Sequence, residues 1–167
     1  MISSNIELLT VDVQNALEET DSEEPPSSEA LSKWAQLAFA ESGQGVAEHT
    51  SEVTLRLVEE IEMTKLNNRF RNKNAATNVL SFPVEDYTSL GLDTRLLGDI
   101  VLCHAVIVSE ARTESKRLAD HYAHMVTHGI LHLQGFDHQD ENSAKRMESR
   151  ETKILALSDI SDPYATN

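Results

Sequence analysis

The chain has 167 residues, 40% of them hydrophobic, with 14 basic and 28 acidic side chains for a formal net charge of −14; this suffices for one globular domain with its own core and argues against two. That acidity excludes a protein that binds nucleic acid over its whole surface, because nonspecific affinity comes from neutralising phosphates; it leaves a limited basic groove, an acidic face for a basic partner, or plain solubility. The lone Cys103 excludes an intrachain disulfide, no apolar run approaches the ~20 residues of a membrane span, and no basic-then-apolar leader opens the chain, so the expectation is a cytoplasmic protein with no membrane and no disulfide partner.

Taken from the amino terminus, the pattern predicts an α+β domain. Ile6 to Val13 alternates as a strand, and Thr20 to Ser28 is an acidic loop containing prolines and serines. Ser27 or Ser28 opens a helix over Glu29 to Glu41, with Leu31, Trp34, Leu37 and Ala38 at helical spacing and Gly43 and Gly45 marking its end. Val53, Leu55 and Leu57 alternate as a second strand, and Thr64 to Arg71 forms a short helix. Val79 to Val84 is a third strand, which Pro83 places at an edge or near its end. Asp99 to Val108 is a fourth, with Cys103 a packed thiol in the run Ile100-Val101-Leu102-Cys103. Helices follow over Ser109 to Leu118, Asp120 to Gln134 and Ser143 to Leu157, the last amphipathic through Met147, Ile154 and Leu155. The sum is a small mixed sheet of about four strands packed with about five helices, with no internal repeat.

The chemistry concentrates in His128-Gly-Ile-Leu-His132-Leu-Gln-Gly135-Phe-Asp137-His138. On a helix, His128 and His132 lie one turn apart on one face, and Gly135 supplies the left-handed conformation that ends helices and lets His138 return from a third direction. Three imidazoles with an open position suit a catalytic rather than a structural zinc. Met125, Ile130, Leu131 and Leu133 give this helix apolar positions for packing on the sheet. His121 and His124 lie upstream on roughly the same face and are read as neighbours rather than ligands, His124 staying a candidate for a supporting role. Asp137 either orients a ligand imidazole or the attacking water, or caps the turn after Gly135. The His-x3-His-x2-Gly-x2-His spacing is also that of metzincin peptidases, which carry a glutamate general base where this chain has Gly129.

Upstream, Lys65, Arg69, Arg71 and Lys73 form a short basic strip without acidic residues, able to meet phosphates or simply to end a solvated helix. Asn78 and Ser81 stand near strands as candidates for a groove lining, as does Asp99, for which completing a turn or strand end is the better reading.

These residues fall into a known pattern. The histidine run closely resembles the signature His-Gly-x-Leu-His-Leu-x-Gly-Tyr-Asp-His of the YbeY family, endoribonucleases of ribosomal RNA maturation. Leu66-Asn67, Arg69-Phe70-Arg71 and Thr77-Asn78-Val79-Leu80-Ser81-Phe82-Pro83 are similar to that family's second signature, and Leu97-Gly98-Asp99-Ile100 to its third. The resemblance covers roughly residues 50 to 155. Phe136 replaces the usual tyrosine, and Asn72 and Ala75-Ala76 replace glycine and lysine-proline. What the resemblance implies is a metal-dependent endoribonuclease; length and pattern give it one domain over residues 1–157, with 158–167 a flexible tail. One zinc ion would be held by His128, His132 and His138. Arg71 would be the catalytic arginine in an RNA groove, and the substrate single-stranded ribosomal RNA or its precursors; the charge pattern adds Lys65, Arg69 and Lys73 as RNA contacts, and the acidic surface ribosomal or assembly proteins as further partners. Nickel and copper also accept imidazole. Two other readings stay open: a hydrolase of peptides or small substrates, and a nonenzymatic ribosome-assembly factor with a structural metal.

Overall fold

A computed structural model describes residues 9–18, 23–43, 50–84 and 94–165. Its elements run β1 (Leu9–Asn15), α1 (Ser28–Glu41), β2 (Ser51–Val58), α2 (Glu60–Arg71), β3 (Val79–Pro83), β4 (Arg95–Cys103), α3 (His104–Thr113), α4 (Leu118–Leu133) and α5 (Glu141–Ala156). Among the described residues the architecture is α+β, with a four-stranded mixed sheet and five helices, as the sequence pattern implies. Ser27 is the N-cap of α1, its hydroxyl accepting from the Ala30 N–H. Residues 6–8 of the expected first strand, 20–22 of the acidic loop, Gly45, and 166–167 lie outside the described residues.

The boundaries of β4, α3 and α2 differ from expectation, and α3 ends at Thr113 instead of Leu118. The strand predicted over Asp99 to Val108 is β4, which starts at Arg95 and ends at Cys103, and α3 begins at His104 instead of Ser109. The β-branched run Val106-Ile107-Val108 favours a strand locally, but tertiary packing outweighs propensity: helical spacing buries His104, Ile107, Val108 and Ala111 together. The His104 Nδ1 also meets the Tyr122 hydroxyl at 2.6 Å. Similarly, α2 starts at Glu60, one turn before Thr64, with Met63 buried and Glu60 and Glu62 favourably placed at the positive end of the helix dipole. Ile61, 72% exposed in that first turn, obscures the helical pattern.

The strand order is β1-β2-β4-β3, with β1, β2 and β4 parallel and β3 an antiparallel edge. Side chains alternate across the sheet with period two. On one face Leu55, Leu57, Ile100 and Leu102 join Leu31 and Ala35 of α1, Tyr122, Val126 and Ile130 of α4 and Met147 of α5 in the main core. On the other, Val101 and Cys103 join Val58, Leu80 and Met63 of α2. Cys103 is a packed, buried thiol, and burial raises its pKa.

Gly129 brings α4 against β4. A Cβ at this position would stand 2.9 Å from both Cδ1 and Cγ2 of Ile100. The absence of a side chain lets the helix approach the sheet, and this close seat fixes the face of α4 that carries the histidines.

Candidate metal centre and its cleft

His128 and His132 occupy adjacent turns near the end of α4, and the chain then reverses through Gly135 at φ +94°. The Phe136 N–H donates to the Leu131 carbonyl at 3.0 Å and closes the reversal. His138 thereby returns, and the candidate ligand nitrogens of the three histidines all lie within 4.8 Å of one another. The Nε2 atoms of His128 and His132 face each other at 3.1 Å. A tetrahedral zinc with Zn–N bonds of ~2.0–2.1 Å holds its nitrogens roughly 3.3 Å apart, so this pair has the spacing of two ligands on one ion. Burial, then the neighbouring His128 and His138, lowers the His132 pKa to about 4, so its imidazole is neutral at pH 7, the form that can ligate. The triad grades from two half-buried rings to an exposed His138, which leaves an open side towards solvent. Among the described residues it is the one group of three or more side chains able to hold a metal ion.

The residue that sequence reasoning missed is Glu151. It projects from α5 into the interior, with a side chain 1% exposed. Its Oε1 accepts from the His128 Nδ1–H at 2.9 Å, and its Oε2 accepts from the His124 Nε2–H at 2.6 Å and from the Tyr164 hydroxyl at 2.5 Å. Burial alone would raise this carboxyl's pKa; the hydrogen bonds from His124 and His128 outweigh it and lower the pKa to about 2, keeping a charge in the interior. Committing the Nδ1–H of His128 to Glu151 leaves Nε2 to face His132, the arrangement by which a carboxylate behind a ligand imidazole fixes its tautomer and orientation. The signal was available: Met147, Glu151, Ile154 and Leu155 form one buried stripe on α5, so the carboxylate stands at an apolar position of an amphipathic helix. Tyr164 belongs to the segment expected as a tail; next to it, Lys116 Nζ donates to the Pro163 carbonyl at 3.1 Å.

The triad opens into a cleft of about 500 Å³ whose lining includes Phe70 and Arg71 at the end of α2, Asn78 and Ser81 beside and within β3, and His128, His132 and His138. Arg71 and the histidines, 57 residues or more apart in sequence, thus share one wall-to-wall space. The left-handed Asn72 (φ 55°) stops α2 one residue after Arg71. Lys65, Arg69 and Lys73 are exposed and outside the lining; the Arg69 guanidinium lies 5.3 Å from the centre of the Phe70 ring. Asn78 lines the cleft with its amide engaged, donating to Glu110 at 3.0 Å and accepting from the Val79 N–H at 2.7 Å. His121 holds the other side of that network, its Nε2 2.9 Å from Glu110 Oε1. Asp137 accepts from the Gln139 N–H at 3.2 Å, a turn-capping contact. Asp99 lines a different concavity, with Asp12 and Glu52. A larger concavity of about 580 Å³ is lined by Glu18, Glu23, Glu24, Glu59 and His104 and takes in no member of the triad.

The sequence model described as Endoribonuclease YbeY matches residues 15–158. A protein of Alteromonas mediterranea named Endoribonuclease YbeY is 44% identical over 156 residues, covering 92% of this chain and 95% of its own. One of the same name from Hydrogenovibrio crunogenus is 40% identical, covering 96% of this chain and all of its own, and one from Pseudomonas fluorescens is 45% identical, covering 95% and 97%. Among solved structures, a target protein from Thermotoga maritima, determined in solution, shares the fold with a TM-score of 0.56 at 24% identity, over 94% of this chain and 100% of its own. On a match over most of its length and on relatives above 40% identity, the chain belongs to the Endoribonuclease YbeY family of enzymes.

Proposed function

We propose that this protein is a zinc-dependent endoribonuclease that cuts single-stranded RNA in the cleft between α4 and β3, with one ion held by His128, His132 and His138. The observation that carries this reading is the meeting of Arg71 with the triad in one cleft, in a chain whose relatives are named endoribonucleases. The donor set fits the ion: neutral nitrogens at metal-ligand spacing, one of them oriented from behind by a buried carboxylate. Zinc bound there supplies a Lewis acid at neutral pH. Glu151 keeps the His128 ring turned towards the cleft. Arg71, always charged and able to grip a phosphate in two places, positions the scissile phosphate and stabilises the negative charge that develops at phosphorus. The attacking group is water or the RNA's own 2′-hydroxyl, and a terminal cyclic phosphate on the product would identify the latter. Asn78 and Ser81 line the groove, and Lys65, Arg69 and Lys73 extend its positive rim. The natural substrate on this reading is ribosomal RNA or its precursors, in maturation and quality control in the cytoplasm, with ribosomal or assembly proteins as partners. No helix among the described residues is long and apolar enough to cross a membrane.

Peptide hydrolysis is the weaker use of this site. The position that carries the peptidase glutamate is Gly129, where even a Cβ would meet Ile100 at 2.9 Å, so a carboxylate there would be driven into the core. The two readings separate on Arg71. Zinc-loaded protein should cleave a ribosomal RNA fragment with single-stranded ends; Arg71→Ala should lose most of that rate with the fold intact, and Arg71→Lys should restore only part of it. A peptide substrate turned over at a rate indifferent to Arg71 would favour the hydrolase reading, and full function of folded Arg71→Ala in ribosome assembly would favour a nonenzymatic factor.

A further inference from the structure

Beside Arg71 the cleft holds an aromatic ring with no core to fill. Phe70 is 55% exposed, yet it lines the same space as the histidine triad. It is held in place from two directions. Phe82 of β3 meets it in a T-shaped contact with centroids 5.0 Å apart, and Phe82 is itself packed on the buried cluster of Leu80 and Val101. Over one face of the ring the Arg69 guanidinium stands 5.3 Å from its centre. An exposed apolar side chain alone needs no explanation. An aromatic ring inside a cleft, packed on Phe82, beside a cation and next in sequence to the arginine that lines the cleft with the triad, has the features of a surface on which nucleobases stack.

We infer that Phe70 is the stacking platform for one unpaired nucleobase of the RNA strand whose phosphate Arg71 holds, an inference that rests on the endoribonuclease reading. Both faces of a base inside a duplex are covered by its neighbours, so only an unstacked base takes the ring. The platform therefore gives a physical origin for single-strand preference without any base-specific hydrogen bond, and it predicts tolerance of base identity with intolerance of base absence.

The test measures kcat/KM of the zinc-loaded full chain on a labelled single-stranded oligoribonucleotide and on a set of the same oligonucleotides with one abasic position each, for wild type, Phe70→Leu and Phe70→Tyr. Leucine keeps an apolar contact with Phe82 but has no aromatic face. Phe70→Leu should fall about tenfold on intact RNA and Phe70→Tyr should stay near wild type, with zinc content and melting temperature unchanged in both. One abasic position should cost the wild type a similar factor and cost Phe70→Leu nothing further, because the two changes remove the same contact. Wild-type kcat/KM for Phe70→Leu on intact RNA, or an abasic penalty identical in both proteins at every position, would overturn the inference and leave the nuclease standing, with the ring free for a protein partner. Zinc-loaded wild type that cleaves none of the oligonucleotides would instead overturn the nuclease reading, and this inference with it.

Discussion

Helix α4 presents two faces that obey different rules. Its sheet face is apolar and close-packed: Val126 and Ile130 are fully buried, and Gly129 sits so tightly on Ile100 that a methyl group has no room. Its other face carries polarity into the interior, with His121 on Glu110 and with His124 and His128 sharing the buried carboxylate of Glu151. The first face is governed by volume, the second by the pairing of charge and of hydrogen-bond donors. The first positions the helix, and the second positions the ring nitrogens that the helix carries. Damage to either should therefore reach the candidate metal centre, by distinguishable routes.

The largest stability effect should come from the polar face. Glu151→Ala strands two imidazole N–H donors that now end on a buried carboxylate, and each buried donor left without an acceptor costs about 1–3 kcal/mol. It should also weaken zinc binding by about 10–100-fold, read by competition with a chelator. Glu151→Gln keeps the shape and one acceptor, so it should recover much of the stability and less of the affinity. On the sheet face, Gly129→Ala adds volume where none is free; overpacking of about 1–3 kcal/mol should exceed the ~1 kcal/mol gained in helix propensity. Denaturant unfolding checks both, and a stabilised Gly129→Ala would refute the close seat of α4 on β4.

Acid should act on the polar face. His132, with its pKa lowered to about 4 from 6.5, binds fewer protons folded than unfolded, so stability rises with pH across that interval and falls as pH drops from about 6.5 towards 4. Glu151, its pKa lowered to about 2 from 4.5, adds a loss of the same sign further into acid. Unfolding of chelator-stripped protein at pH 7, 5.5 and 4 reads the first loss, and His132→Ala should flatten it. The smallest effect belongs to Asp137→Ala, which removes one exposed turn contact and should cost within about 0.5 kcal/mol of stability and little zinc affinity. Zinc loss equal to that of Glu151→Ala would reverse the roles of the two carboxylates.

The contrast between those carboxylates also explains what was legible in the sequence. The triad could be read because its parts are contiguous: helical period places His128 over His132, and one glycine dictates the reversal that returns His138. The edge position of β3 followed from Pro83 in the same local way. Glu151 was hidden because a glutamate on an amphipathic helix reads as solvated unless the apolar stripe is followed through it, and its partners lie 23 and 27 residues away. Tyr164 stood in a segment without periodicity, although its hydroxyl reaches the same carboxylate. The start of α3 was misplaced because propensity speaks for each residue alone, while burial of His104 against Tyr122 is settled between helices.

The most direct measurement is cleavage of a ribosomal RNA fragment with single-stranded ends by chelator-stripped protein, before and after addition of one equivalent of zinc, beside folded His132→Ala treated identically. The account predicts no cleavage before addition, recovery at one equivalent in the wild type, and none in His132→Ala at any zinc concentration that keeps it folded. Equal cleavage by stripped and loaded protein, or by His132→Ala, would contradict it.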